Sequence, residues 1–367
     1  MSNGKFKRSA ERERVPDQAS EQRIAQLRWE AEHKGIVLET GVRPAGSPIP
    51  RASEETGYYG IPLLKEPQWT WEIPLYFFVG GAAGSAAVIG AAADWIGDDY
   101  ELAKHARWVA TAGSALSSAL LISDLGRPSR FLNMLRIIKP QSAMSIGAWT
   151  LAAFGSFTAV STFAKLVQDR WDFLPVKIVA NLAQFASAVT GLPFHNYTGV
   201  LIGATVIPAW NKNIETLPIH FGMSGVQSAC SILELLGHDE RALNLLALMA
   251  AAWETYEGIH LEKRTERELR PLKRGASGWV TRAGGALSGP LPLALRLAAL
   301  VSRSPRLRRA AAISGIAGSL LTRYGWVSAG HASARDWKLP LEIPETETAA
   351  PKPMGEETAA KLAEKMA

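Results

Sequence analysis

Glu254, Glu257 and His260 recur at i, i+3 and i+6 inside an otherwise apolar run. On a helix this spacing puts Glu254 and Glu257 on one face with His260 in reach of Glu257, an arrangement suited to a proton relay. An unpaired acid in a hydrocarbon core costs on the order of 3 kcal/mol on insertion scales, so Glu254 calls for a partner or a task. Glu234, in the preceding apolar run, and Asp94, at the end of the first, extend this candidate proton path toward the opposite surface. The competing reading of Glu257 and His260 is a snorkelling position among lipid headgroups.

A second chemistry sits where the apolar runs begin and end. Trp71, Glu72 and Tyr76 open the first run, Asp124 closes the second, and Ser142 and Ser145 start the third. Brought to one membrane face, such groups can converge on a polar pocket that hydrogen-bonds a ligand and passes protons. Trp71 and Tyr76 read equally as an interfacial aromatic belt. Asp124 and Arg127 are close enough for a charge-assisted pair, and Pro128 restricts Arg127 to extended geometry. That motif reads as a loop clamp or as support for docking or for the site beside it. His220 and His260 fall at similar depth on successive runs, the minimum for bis-histidine ligation of a b-type haem, which is the rival cofactor reading. Apart from that, no metal site is expected: the single Cys230 excludes an internal disulfide and a thiolate-held iron–sulfur cluster or Cys-type zinc site within the chain.

The elements that must position these residues are membrane spans. Ile73–Ala93 carries no charge until Asp94, and about 20 residues at 1.5 Å rise cross a hydrocarbon core of roughly 30 Å. Only helices do so without unpaired backbone groups. About eight such windows are expected, near Ile73–Trp95, His105–Ser123, Met144–Leu166, Ala186–Trp210, Leu217–Leu236, Ala242–His260, Leu287–Val301 and Ala310–Val327. The stretch from Phe173 to Trp210 is too long for one span and carries Pro193 and His195 in its middle, which would allow two short spans. Because Pro193 to Tyr197 offers only a minimal turn, an interfacial approach helix around Pro175–Phe185 followed by one span is expected instead. Gly80/Gly84 and Gly81/Ser85 give the first span a close-packing face. Trp69, Trp71, Trp95, Trp149, Trp210 and Trp326 fall near span ends, where most serve as anchors.

The fold class is therefore all-α and polytopic. A polar extension over residues 1–68 and a charged tail over 335–367 lie outside the bilayer on either side of a transmembrane domain over 69–334. No cleavable signal peptide is visible before Trp69. The formal net charge of +6 needs no nucleic acid, because basic loops are normal for membrane proteins. The loops holding Arg127–Lys139 and Lys263–Arg282 share a side with the N-terminus and point to a cytoplasmic N-terminus. Lys104, Arg107, Lys165, Arg170, Lys177, Arg241 and the dense Arg303–Arg309 cluster lie opposite, so the asymmetry is modest.

Asp124-Leu-Gly-Arg-Pro128 with Arg130-Phe131, Pro140 to Trp149, Tyr197-Thr-Gly-Val-Leu201, Pro208-Ala-Trp210, Leu217-Pro218 and Arg323-Tyr324 occur in that order. Together they resemble the NrfD-like family, the membrane subunits of polysulfide reductase and related iron–sulfur molybdoenzymes, over roughly Trp69 to Ala334. The resemblance implies two four-helix bundles in the bacterial inner membrane, without haem or iron–sulfur cluster of their own. It further implies a menaquinone or ubiquinone site, a four-cluster ferredoxin-like iron–sulfur subunit and a molybdopterin-type catalytic partner. It places quinone contacts at the start of the first span, here Trp71, Glu72 and Tyr76, and at Tyr197, with His195 and Asn196 as its neighbours. A secondary transporter is the alternative of a different class, suggested by the Gly/Pro interruptions at Gly191–Pro193 and Gly289–Pro292. The amphipathic Gln22–His33 stretch is a candidate docking segment for a soluble partner.

Overall fold

The computed structural model describes residues 64–125, 128–171, 173–336 and 339, with short pieces at 26, 29, 37–38 and 41–42. Arg127, most of the N-terminal extension including most of the Gln22–His33 stretch, and nearly all of the C-terminal tail lie outside the described residues, as does the Pro128 side chain. Contacts separate Met1–Ile61 from Pro62–Ala367. Within the former, β1 (Val37–Leu38) pairs antiparallel with β2 (Gly41–Val42), Val37 opposite Val42.

In the second unit the described elements are helices joined by short turns and loops. α1 (Glu72–Trp95) begins with an acid that complements the helix dipole. α2 (Tyr100–Asp124) is capped by Asp99, whose carboxylate accepts from the Leu102 amide at 3.0 Å. α3 (Ala143–Arg170) is capped by Ser142 in the same way, at 3.3 Å from the Ser145 amide. α4 (Leu174–Gly203), the short α5 (Pro208–Asn211), α6 (Leu217–Leu235) and α7 (Arg241–Lys263) follow. The last helices are α8 (Arg270–Lys273), α9 (Gly275–Ser288), α10 (Pro290–Ser302) and α11 (Pro305–Arg335).

Two sites hold helix breakers. The expected approach helix and fourth span are a single helix: α4 runs unbroken through Pro193 for 30 residues and stops at Gly203, not Trp210. Neighbours on both sides sustain it, with the buried Phe194 stacked on Phe154 at 4.8 Å beside the proline. Gly289, in contrast, does break the helix, so the seventh segment is α9 continued by α10. Pro290 and Pro292 cannot donate to the preceding turn, and the Gly289 backbone (φ −102°, ψ −96°) leaves helical geometry.

Three stretches, Glu72–Trp95, Ala143–Arg170 and Gly275–Ser302, are by length and apolarity able to cross a bilayer. Of the other long helices, α11 carries Arg306, Arg308, Arg309 and Arg323, whereas α4 and α6 hold one charged residue each, Lys177 and Glu234. Phe157, Val160 and Phe163 on α3 and Leu182, Phe185 and Val189 on α4 all point outward, an apolar face that water would not tolerate at this extent. The protein is a membrane protein. α1 packs on α2 and α4, and α3 on α4; α6, α7, α9, α10 and α11 form a second set of neighbours, joined to the first through α1 and α4.

Small residues set the close approaches. A Cβ on Gly84 would meet the Gly191 carbonyl of α4 at 2.8 Å, and one on Gly225 would meet the Gly81 carbonyl at 2.8 Å, so α1 lies backbone to backbone against α4 and α6. Trp210 is no anchor: it is fully buried, donates its indole N–H to the Trp326 carbonyl at 2.7 Å and stacks on Trp69 at 5.3 Å. Trp326 is buried with it, whereas Trp71 and Trp95 are exposed as anchors should be.

Candidate functional site

The first turns of α1 present two faces. Trp69, Ile73 and Tyr76 follow one another at helical spacing and look inward, whereas Trp71 is 58% exposed and Glu72 is half-buried against Thr70. The inward face meets the end of α2, the start of α3 and the second half of α4 around a cavity of about 90 Å³. Tyr76, Asp124 and Tyr197 reach it from three different helices. Met134, from the 3-10 segment Pro128–Leu135, and Met144 complete its wall.

Tyr197 is locked by its surroundings. Its hydroxyl donates to the Ala143 carbonyl, and its ring occupies the space where a Cβ on Gly147 would stand. Tyr76 is almost wholly buried, yet its hydroxyl bonds to no described residue and is left for whatever enters the cavity. The Thr70 hydroxyl lies between Glu72, its close partner, and Asp124 at 3.5 Å. Thus, of the six residues expected to contact quinone, Tyr76 and Tyr197 line this cavity and Asp124 joins them. Trp71 and Glu72 stand outside it. His195 and Asn196 face α6: Gly222 packs directly on the His195 ring and near the Asn196 Cβ, and His195 Nδ1 lies 3.3 Å from the Gly191 carbonyl. Helical phase on α1 carried the signal that separates Tyr76 from Trp71 and Glu72. Met134, Met144, Gly147 and Thr70 escaped the sequence reading, since nothing in an apolar residue or a glycine announces the wall of a cavity.

The acids expected on a proton path are distributed over two places. Glu254 is 2% exposed, accepts from the Ser288 hydroxyl at 3.0 Å and lies 3.3 Å from His220 Nδ1. That approach is too poorly aligned for a hydrogen bond, and both His220 nitrogens lack one among the described residues. Arg323, fully buried on α11, donates to the Phe221 carbonyl at 2.8 Å and lies 3.7 Å over the Phe221 ring, while its Nε and Nη1 find no partner among the described residues. Further along α6, Glu234 accepts two bonds from Arg296 at 2.6 and 2.7 Å, and Arg296 also reaches Asn244 at 3.0 Å. Glu257 is half-buried on α7.

Asp94 does not continue this line. It pairs with Arg107 at 3.4 Å and Lys165 at 3.1 Å, among α2 and α3. An apolar cluster including Ala93, Ala106, Cys230 and Leu233 fills the space toward α6. His220 and His260 do not face each other either: His220 turns to Glu254, and the exposed His260 stacks on Tyr256 at 6.0 Å. The Asp124–Arg127 clamp lies outside the described residues at Arg127.

Comparison with known proteins adds the following. Residues 64–241 match the family described as Polysulphide reductase, NrfD. The C subunit of the polysulfide reductase of Wolinella succinogenes is 28% identical over 187 residues, which cover 46% of the present sequence. The match spans 58% of the length of that relative. The NrfD likeness read from the motifs is thus shown for the region that holds Tyr76, Asp124 and Tyr197, while Glu254, Arg296 and Arg323 lie beyond the matched residues.

Proposed function

We propose that this NrfD-like membrane protein is the quinone-binding subunit of a respiratory oxidoreductase complex and exchanges electrons with an iron–sulfur partner. The observation that supports it most is the convergence of Tyr76, Asp124 and Tyr197, from three helices, on one buried cavity at the end of the bundle where α1 begins. Asp124 is the group placed to exchange protons with the adjoining surface, and the Tyr76 hydroxyl is the uncommitted donor. A bound menaquinone or ubiquinone would bring two-electron, two-proton carrier chemistry. The protein's own part is to orient the ring between Tyr76 and Tyr197 and to keep water from the apolar side.

At about 90 Å³ the cavity is smaller than the roughly 300–1,000 Å³ usual for ligand pockets. Met134 and Met144 form the wall that yields, because unbranched thioethers repack at little cost. In this reading the helices make eight spans in two four-helix bundles of a bacterial inner membrane, with the N-terminus cytoplasmic and no haem or cluster in the protein. The partners are a four-cluster ferredoxin-like subunit and a molybdopterin-type catalytic subunit. Glu254, Glu257 and Glu234 form the acids of a proton path through the second bundle, with Asp94 serving the first.

The test is binding of a menaquinone analogue to the purified protein in nanodiscs. Asp124→Asn and Tyr76→Phe are each expected to weaken binding about tenfold, the worth of one well-placed hydrogen bond in a dry site, with no change in helix content. Unchanged affinity in both variants overturns the assignment of this cavity. Co-purification tests the partners: a solitary protein that catalyses solute flux would favour the transporter reading, for which the helix break at Gly289 beside the buried Glu254 is the supporting observation.

A further inference from the structure

A groove of about 780 Å³ opens over one face of α11, between the start of α1 and the start of α9. The α11 side chains lining it include Tyr324, Val327, Ser328, His331 and Arg335, a single helical stripe roughly 16 Å long at 1.5 Å per residue. Its mouth is cationic. Arg270, Arg274 and Arg335 line it against Asp336 and against Glu66, which accepts from Arg335 at 2.6 and 2.9 Å and lies 3.0 Å from His331. Arg274 is exposed and makes no ion pair among the described residues. Trp69, Trp71 and Tyr324 flank the groove, and the Tyr324 hydroxyl donates to the Trp71 carbonyl at 3.0 Å.

Toward the bilayer the same stripe continues as Leu320, Ala317 and Ile313, four, seven and eleven residues before Tyr324. All three are aliphatic and none is buried; Ile313 is 59% exposed. The surface is therefore cationic at its aqueous end, aromatic at headgroup level and hydrocarbon below, the profile of a molecule that is anionic at one end and aliphatic along the rest. A soluble anion would leave the aliphatic stripe unused, and a neutral quinone would leave the arginines unused.

We infer that this groove seats the headgroup of an anionic phospholipid, with an acyl tail laid along Leu320, Ala317 and Ile313. The Arg274 guanidinium takes the phosphate, and the three aromatic side chains mark the glycerol level. This inference needs only the membrane character of the protein and is independent of the quinone site.

The experiment uses the full-length protein, delipidated in a neutral detergent, titrated with phosphatidylglycerol, phosphatidylcholine or inorganic phosphate and read by thermal unfolding and native mass spectrometry. Phosphatidylglycerol is expected to bind about tenfold tighter than phosphatidylcholine, as one or two surface arginines would supply. Arg274→Gln, at an exposed position, is expected to shrink that preference several-fold, and Arg274→Lys to keep most of it. Ala332→Trp, which fills the groove without touching its charge, is expected to abolish tight binding of phosphatidylglycerol. Equal affinity for the two lipids, a preference that survives both Arg274→Gln and Ala332→Trp, or displacement of the lipid by millimolar phosphate or a quinone analogue would each overturn the proposal.

Discussion

The two sets of helices solve the problem of polar groups in a membrane in opposite ways. Around α1, α2 and α4, the polar atoms of Tyr76, Asp124 and Tyr197 surround a space. Among α6, α7, α10 and α11, charges are packed against each other: Arg296 is clasped by Glu234 and Asn244, and Arg323 lies on the Phe221 ring near His220 and Glu254. A hollow ringed by hydroxyl and carboxyl groups suits a visiting molecule, and a filled cluster suits residents. The family match embraces the hollow and ends before Glu254, Arg296 and Arg323. The difference teaches that burial of charge alone does not mark a ligand site: a vacated volume beside it does.

The sharpest way to break this contrast is to unpair the resident charges. Arg296→Met leaves Glu234 buried without its bidentate partner and is expected to cost about 3–5 kcal/mol in denaturant unfolding from micelles, whereas the double variant Arg296→Met/Glu234→Leu recovers most of that loss. If the double variant is as unstable as the single, the pair is not what holds α6 to α10. At the hollow, Gly147→Ala puts a methyl where the Tyr197 ring lies. A loss of about 1–3 kcal/mol is expected there, with quinone-analogue affinity falling more than tenfold. An undisturbed affinity would mean that Tyr197 has no part in binding.

The smallest effect belongs to the surface. The Arg335 guanidinium, and after it His331, hold the Glu66 carboxyl below its ordinary value of 4.5. A carboxyl depressed in this way contributes stability that is complete above about 4.5 and fades as pH falls through its lower folded value. Glu66→Gln is therefore expected to lower stability by less than about 1 kcal/mol at pH 7, as an exposed pair should, and the gap to the wild type should close on acidification. A gap that is constant with pH would assign the effect to packing.

Much of this architecture was legible in the residues. The boundaries of α1, α2, α3, α6 and α7 fall within about five residues of the expected segments, because long uniform apolar runs with polar ends leave little choice. The interruption at Gly289–Pro292 was legible, but the fusion of the expected approach helix and fourth span into one helix through Pro193, the stronger breaker taken alone, was not, because only packed neighbours decide that it is spanned. For the same reason Tyr76 and Glu254 were singled out by type and position and Tyr197 by the family resemblance, but their companions were not. Arg296 sits alone in the apolar Leu293–Val301 run, a signal overlooked, since an arginine there demands an acid on a neighbouring helix. Asp94 was grouped with Glu234 because both end a helix on the same side; which helices stand next to each other is a property of packing that local sequence does not encode.

Trp69 is a wall shared by the small cavity and the large groove. It is backed by Trp210, stacked on it at 5.3 Å and itself pinned to the backbone carbonyl of Trp326, so the partition is held in place. Occupants of the two chambers should consequently be thermodynamically deaf to one another. Filling one would change the affinity of the other by a factor close to unity, and truncating Trp69 would be the substitution that lets them hear.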